Sequence, residues 1–80
     1  MKCVYSLQSL SHPNQRHIGL TSDLKGRLGA HNGGTSPHTS EYRPWRVRTA
    51  IRFDDDERAV HFEQHLKTGS GYAFARRHFW

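Results

Sequence analysis

Two short strand-like runs, Cys3 to Leu7 and Arg16 to Leu20, flank a turn, and a helical pattern follows them at once. Nothing else in the chain constrains the fold as much. Cys3, Tyr5 and Leu7 alternate with Val4 and Ser6, the period of a buried strand. Ser9 to Gln15 contains Ser-His-Pro-Asn, which has turn composition. The second run therefore returns antiparallel to the first, as a hairpin. Thr21, Ser22 or Asp23 can cap the next helix, because their side-chain oxygens accept its unpaired amide hydrogens. Leu24 and Leu28 give that helix its apolar spacing, and Gly33-Gly34 ends it.

Thr35 to Tyr42 reads as a polar loop, and Arg43-Pro44 as a stop, since proline biases the residue before it toward extended geometry. Trp45 to Phe53 is the clearest strand. Val47, Thr49, Ile51 and Phe53 are expected on one face, with Arg46, Arg48, Ala50 and Arg52 on the other. Asp54 to Glu57 opens a second long helix, where acids meet the positive end of the helix dipole. That helix runs to about Lys67. Gly69-Ser70-Gly71 is expected to break the chain before a short terminal helix, Tyr72 to His78. The order strand, strand, helix, strand, helix, helix predicts an α+β fold: a small, three-stranded, mainly antiparallel sheet flanked by helices.

Eighty residues suffice for one domain, 1–80, with a thin core. Twelve lysines and arginines against seven acids leave a charge of +5, the electrostatic footprint of a nucleic-acid binder, although solubility alone also explains it. Cys3 is the single cysteine and cannot form an internal disulfide, so it reads as a small core residue. No apolar segment after Met1 resembles a signal peptide, and no run is long enough to span a bilayer. No membrane association is expected, and the location expected on these grounds is cytoplasmic.

Several side chains could carry chemistry. Ala59, Phe62, Glu63 and Leu66 share one helix face, and a carboxylate there is costly to bury unless it is paired or holds a metal. Spacing alone leaves a structural ion pair and a metal ligand equally open. Arg27 and His31 are one turn apart on the first helix, and a solvated helix face would explain them as well as phosphate binding does. Tyr5 is a core candidate by position. His61 and His65 lie one turn apart too, but no cysteine pair supports zinc there and both read as surface residues.

Taken together, Val4-Tyr5, His17-Ile18-Gly19, Thr21-Ser22-Asp23-Leu24, Arg27-Leu28, His31-Asn32-Gly33, Arg43-Pro44-Trp45 and Glu63 with Leu66-Lys67 have an order and spacing that resemble the GIY-YIG nuclease family. That family includes the amino-terminal nuclease module of the excision-repair protein UvrC. The resemblance runs from about Lys2 to His78. It departs from the family at the second motif, where His17 stands in place of the usual tyrosine.

The resemblance implies a metal-dependent DNA endonuclease of repair or recombination. In it Glu63 holds Mg²⁺ or Mn²⁺, Arg27 clamps the scissile phosphate, and Tyr5 activates the attacking water. His31 is a further candidate. We expect His17 to share or take over the base role, because an imidazole titrates nearer neutrality than a phenol. Lys25, Arg43, Arg46, Arg48, Lys67, Arg76 and Arg77 are candidate contacts to a DNA backbone. Thr21 and Asn32 are candidate supports of the site. A homodimer or a protein partner could supply specificity. The competing readings are a nucleic-acid-binding module of the same fold without turnover, and a small basic protein-interaction adaptor.

Overall fold

The protein is described by a computed structural model covering residues 1–35, 37 and 39–80. Its elements are β1 (Lys2–Ser9), β2 (Arg16–Thr21), α1 (Leu24–Asn32), a 3₁₀ turn (Ser40–Tyr42), β3 (Trp45–Phe53), α2 (Asp56–Leu66) and α3 (Gly69–His78). This is the expected α+β order. Of the expected loop over 35–42, residues 36 and 38 lie outside the described residues.

The sheet has the order β2-β1-β3, with β1 antiparallel to both neighbours. The first strand is therefore central, and it is covered on both faces: Val4, Tyr5, Ser6 and Leu7 are all buried. On one face Val4 and Ile18 pack with Ala59 and Leu66 of α2, Ala75 of α3, and Phe79. On the other, Tyr5, Leu7 and Trp45 pack against Leu24 and Leu28 of α1. Cys3 is half-buried at the end of this second face, opposite Thr21 and Arg52, and is not the core residue expected.

A bulge in β3 corrects the expected alternation. Ser6 lies opposite Thr49, but Leu7 lies opposite Val47, so Arg48 is an extra residue on β3. One inserted residue reverses the faces of a strand. Trp45 and Val47 consequently join the α1 face, while Ile51 and Phe53 join the α2/α3 face. The arginines divide in the same way. Arg46 pairs with Gln8 and Arg52 with Cys3, on opposite sides of the sheet, so the single arginine face expected from period-two spacing does not form.

Caps set the helix starts. Asp23 accepts from the Gly26 amide, and Thr21 Oγ1 accepts from the Asp23 amide just before it. Asp55 accepts from the amides of Glu57 and Arg58, so the acid run serves the start of α2. Such caps are worth about 1 kcal/mol each. The expected break at Gly69-Ser70-Gly71 is instead the first turn of α3, capped by Thr68 Oγ1 on the Gly71 amide. The glycine is needed for proximity: a Cβ at residue 71 would collide with the His65 carbonyl at the end of α2. No described helix is long and apolar enough to cross a membrane.

Candidate active site

The α1 face of the sheet carries polar side chains inside its apolar packing. Tyr5 on β1 is 2% exposed, and its ring lies across Gly19, the residue directly opposite on β2. Any Cβ at residue 19 would occupy the space of the Tyr5 ring and hydroxyl. Here the glycine of the second motif is required by the tyrosine of the first. His17 sits opposite Leu7 and therefore on the Tyr5 face, with ring centroids 6.1 Å apart.

From α1, His31 enters the same layer. It is buried, its ring 5.0 Å from His17 and 6.3 Å from Tyr5. His31 Nε2 is 3.3 Å from Tyr5 Oη, and its Nδ1 is 2.7 Å from Thr39 Oγ1. Arg27 lies one turn earlier on α1 and is exposed, and its charge acts on Tyr5, His17 and His31. Glu63 approaches from α2. Its side chain is only 14% exposed, and its Oε2 is 2.7 Å from Lys67 Nζ.

The titrations of these groups are linked. Burial raises the Tyr5 phenol, the Arg27 charge opposes that rise, and Glu63 adds to it. His17 is pushed down to about 4, first by burial and then by His31, Lys67 and Arg27, with Glu63 opposing. His31 is lowered by burial and by Arg27. Arg27 and Glu63 thus act on Tyr5 and His17, and Arg27 on His31, across β1, β2, α1 and α2. Burial makes His17 a weaker base than the free imidazole from which its base role is expected.

The remaining candidates scatter. Lys25, Arg43, Arg46, Arg48, Arg76 and Arg77 are exposed on α1, the loop before β3, β3 and the last turn of α3. Arg43 lies over Gly34, and Arg48 donates to Gln8 Oε1. Lys67, expected on a DNA-facing surface, is instead the ion-pair partner of Glu63. Asn32 and Thr21 have structural work. Asn32 Oδ1 accepts from the Trp45 amide at 2.6 Å and its Nδ2 donates to the Trp45 carbonyl at 3.1 Å, tying the end of α1 to the start of β3. Thr21 braces the cap of α1. His61 and His65 are exposed, as expected.

Among the described residues no three His, Cys, Asp or Glu side chains converge as a metal cage. A lone, mostly buried carboxylate fits a different kind of ion, a hard cation that keeps most of its waters and shares the rest of its shell with a phosphate. Glu63 is that carboxylate, and the ammonium of Lys67 shows that the position already suits a positive charge. A shallow concavity of about 700 Å³ at Met1 and Asp54 to Arg58 contains none of the rings above, and Asp55 there is taken by capping.

Sequence reasoning missed Thr39. Its neighbours read only as a polar loop, and no local pattern marks a threonine that reaches a histidine eight residues earlier.

Residues 1–73 match the GIY-YIG catalytic domain family. Among curated proteins the chain is similar to the structure-specific endonuclease subunit SLX1 of Malassezia globosa, 34% identical over a 76-residue alignment. The match covers 79% of this chain but 17% of that relative, so the chain spans a small part of the relative's length.

Proposed function

The chain belongs to the GIY-YIG catalytic domain family, and from that premise we propose that it is a divalent-metal-dependent endonuclease cutting phosphodiester bonds in DNA. The observation that carries this reading is the meeting of Tyr5, His17, His31 and Arg27 on the α1 face with Glu63 reaching in from α2.

Glu63 would hold Mg²⁺ or Mn²⁺, which when bound supplies Lewis-acid polarisation of the phosphoryl oxygens and neutralises their charge. Arg27, exposed on α1, binds the scissile phosphate through its planar fork and stabilises the charge that builds in the transition state. Tyr5 Oη orients the attacking water and takes its proton. That needs the phenolate, which the Arg27 charge favours against the cost of burial. His17 stands beside this hydroxyl as a neutral imidazole and shares in holding the water. Lys67 moves from Glu63 toward a phosphate once a cation takes the carboxylate. The exposed cations Lys25, Arg43, Arg46, Arg48, Arg76 and Arg77 supply sequence-independent contacts to backbone phosphates.

The SLX1 relative is by its name a structure-specific endonuclease subunit. On that similarity we propose a branched or flapped DNA substrate, a role in repair or recombination, and a second protein or a second copy as the source of specificity.

Two observations favour the other reading, a DNA-binding module without turnover. Lys67 already neutralises Glu63, and His17 replaces a tyrosine. Incubation with branched, flapped and plain duplex DNA in Mg²⁺ or Mn²⁺, beside a Glu63→Ala variant, separates the two. Metal-dependent nicking lost in the variant is the expected result. Salt-sensitive binding with no nicking in either metal would leave the binding module standing instead.

A further inference from the structure

Thr39 is 3% exposed, and among the described residues the hydrogen-bond partner of its hydroxyl is His31 Nδ1, at 2.7 Å. The threonine is held from behind. Trp45 Nε1–H donates to the Thr39 carbonyl at 2.8 Å, and the backbone of Trp45 is clasped by Asn32, the residue next to His31. Four residues therefore close a ring of contacts, with the imidazole facing inward toward Tyr5 Oη.

We propose that Thr39 is a positioning residue: its hydroxyl donates to His31 Nδ1, fixes the tautomer that carries its proton on Nε2, and so aims an N–H at the oxygen of Tyr5. This rests on the endonuclease reading for its consequence, but not for its geometry. Burial first, and then the Arg27 charge, lower the His31 pKa, and an imidazole in its neutral form carries one N–H. If that N–H were on Nδ1, Thr39 would have to accept it. The threonine's own proton would then be buried with no acceptor among the described residues, a cost of about 1–3 kcal/mol. The opposite arrangement uses every proton. Thr39 donates to Nδ1, Nε2–H donates to Tyr5 Oη, and the Tyr5 proton is left facing the pocket where Arg27 and Glu63 act on it. An N–H pointed at the phenol oxygen stabilises the phenolate more than the phenol. Thr39 thereby supports the base form of Tyr5 without touching substrate.

The test compares Thr39→Val, which keeps the shape and removes the hydroxyl, with Thr39→Ser, which keeps the hydroxyl. Long-range ¹H–¹⁵N spectra of the intact protein read the His31 tautomer directly and need no activity. The wild type and Thr39→Ser should show the Nε2–H form, and Thr39→Val a mixture. In nicking assays Thr39→Val should lose about tenfold or more in kcat with KM within about twofold, and its pH optimum should rise, with Thr39→Ser restoring both. A wild-type Nδ1–H form, or a tautomer unchanged in Thr39→Val, overturns the proposal. So does a Thr39→Ser variant as slow as Thr39→Val. A wild type that never nicks DNA sinks the endonuclease reading alone, and the spectra still decide the role of Thr39.

Discussion

The two faces of this sheet share the same three strands and differ in what they bury. Toward α2 and α3 the interior is almost wholly apolar: Val4, Ile18, Ala59, Leu66, Ala75 and Phe79. Toward α1, Tyr5, Leu7 and Trp45 share the interior with two imidazoles and a threonine hydroxyl. Burying such groups costs free energy unless each finds a partner. The α1 face meets that condition with a network that leaves one end open at Arg27. A domain this small has little core to spare. One side of the sheet carries most of the apolar packing and the other the polar side chains, and of the five candidates Glu63 alone comes from a helix of the apolar side.

If that division is real, substitutions should separate by face. The largest effect is expected from Tyr5→Phe on the α1 face. It should lower kcat by about 10²–10⁴-fold while costing about 1 kcal/mol in stability, the worth of one hydrogen bond. Loss of folding in parallel with activity, seen in urea titrations, would put Tyr5 among the core residues.

Leu66→Ala makes the opposite change. It should cost about 2–5 kcal/mol of stability yet leave the rate per folded molecule near wild type. A slow but fully stable variant would contradict the division.

Acid sharpens the comparison. His17 has a folded pKa of about 4 against 6.5 for the free group, so the unfolded chain binds the extra proton first. The stability associated with neutral His17 is complete above about pH 6.5 and is lost as pH falls toward 4. Melting temperature should drop through that window, and less steeply in His17→Phe. Equal slopes would mean that the imidazole is not desolvated.

The smallest effect concerns the other face. Ser6 Oγ is buried with no hydrogen-bond partner among the described residues. Ser6→Ala should raise stability by about 1 kcal/mol without altering nicking, because it removes a hydroxyl that lost its water on folding. Destabilisation on calorimetry would reveal an ordered water there.

Much of this was legible in the chain. The hairpin, the cap at Asp23, the acidic start of α2 and the β3 span follow from turn residues, side-chain oxygens and acids at helix starts, and period-two spacing. The five candidate side chains could be chosen because their order resembles a known pattern; in the fold the rings of Tyr5, His17 and His31 adjoin, and the charges of Arg27 and Glu63 reach them. Other features depended on contacts distant in sequence. Nothing around Arg48 signals a bulge, since the alternation continues through it and only its pairing with Leu7 and Ser6 reveals the shift. Gly69 and Gly71 read as breakers because local propensity says so, whereas close contact with α2 requires Gly71 to be small. The weakened base at His17 comes from burial, which a sequence does not display.

Of the three strands of this sheet the central one is synthesised before its neighbours, and its second edge stays open until β3 follows more than thirty residues later. During that interval the growing chain has its phenol, both imidazoles and its guanidinium, but α2 and its carboxylate do not yet exist. On the proposed function, hydrolysis that relies on that carboxylate is therefore withheld from a half-made polypeptide and begins only after the late helix has docked.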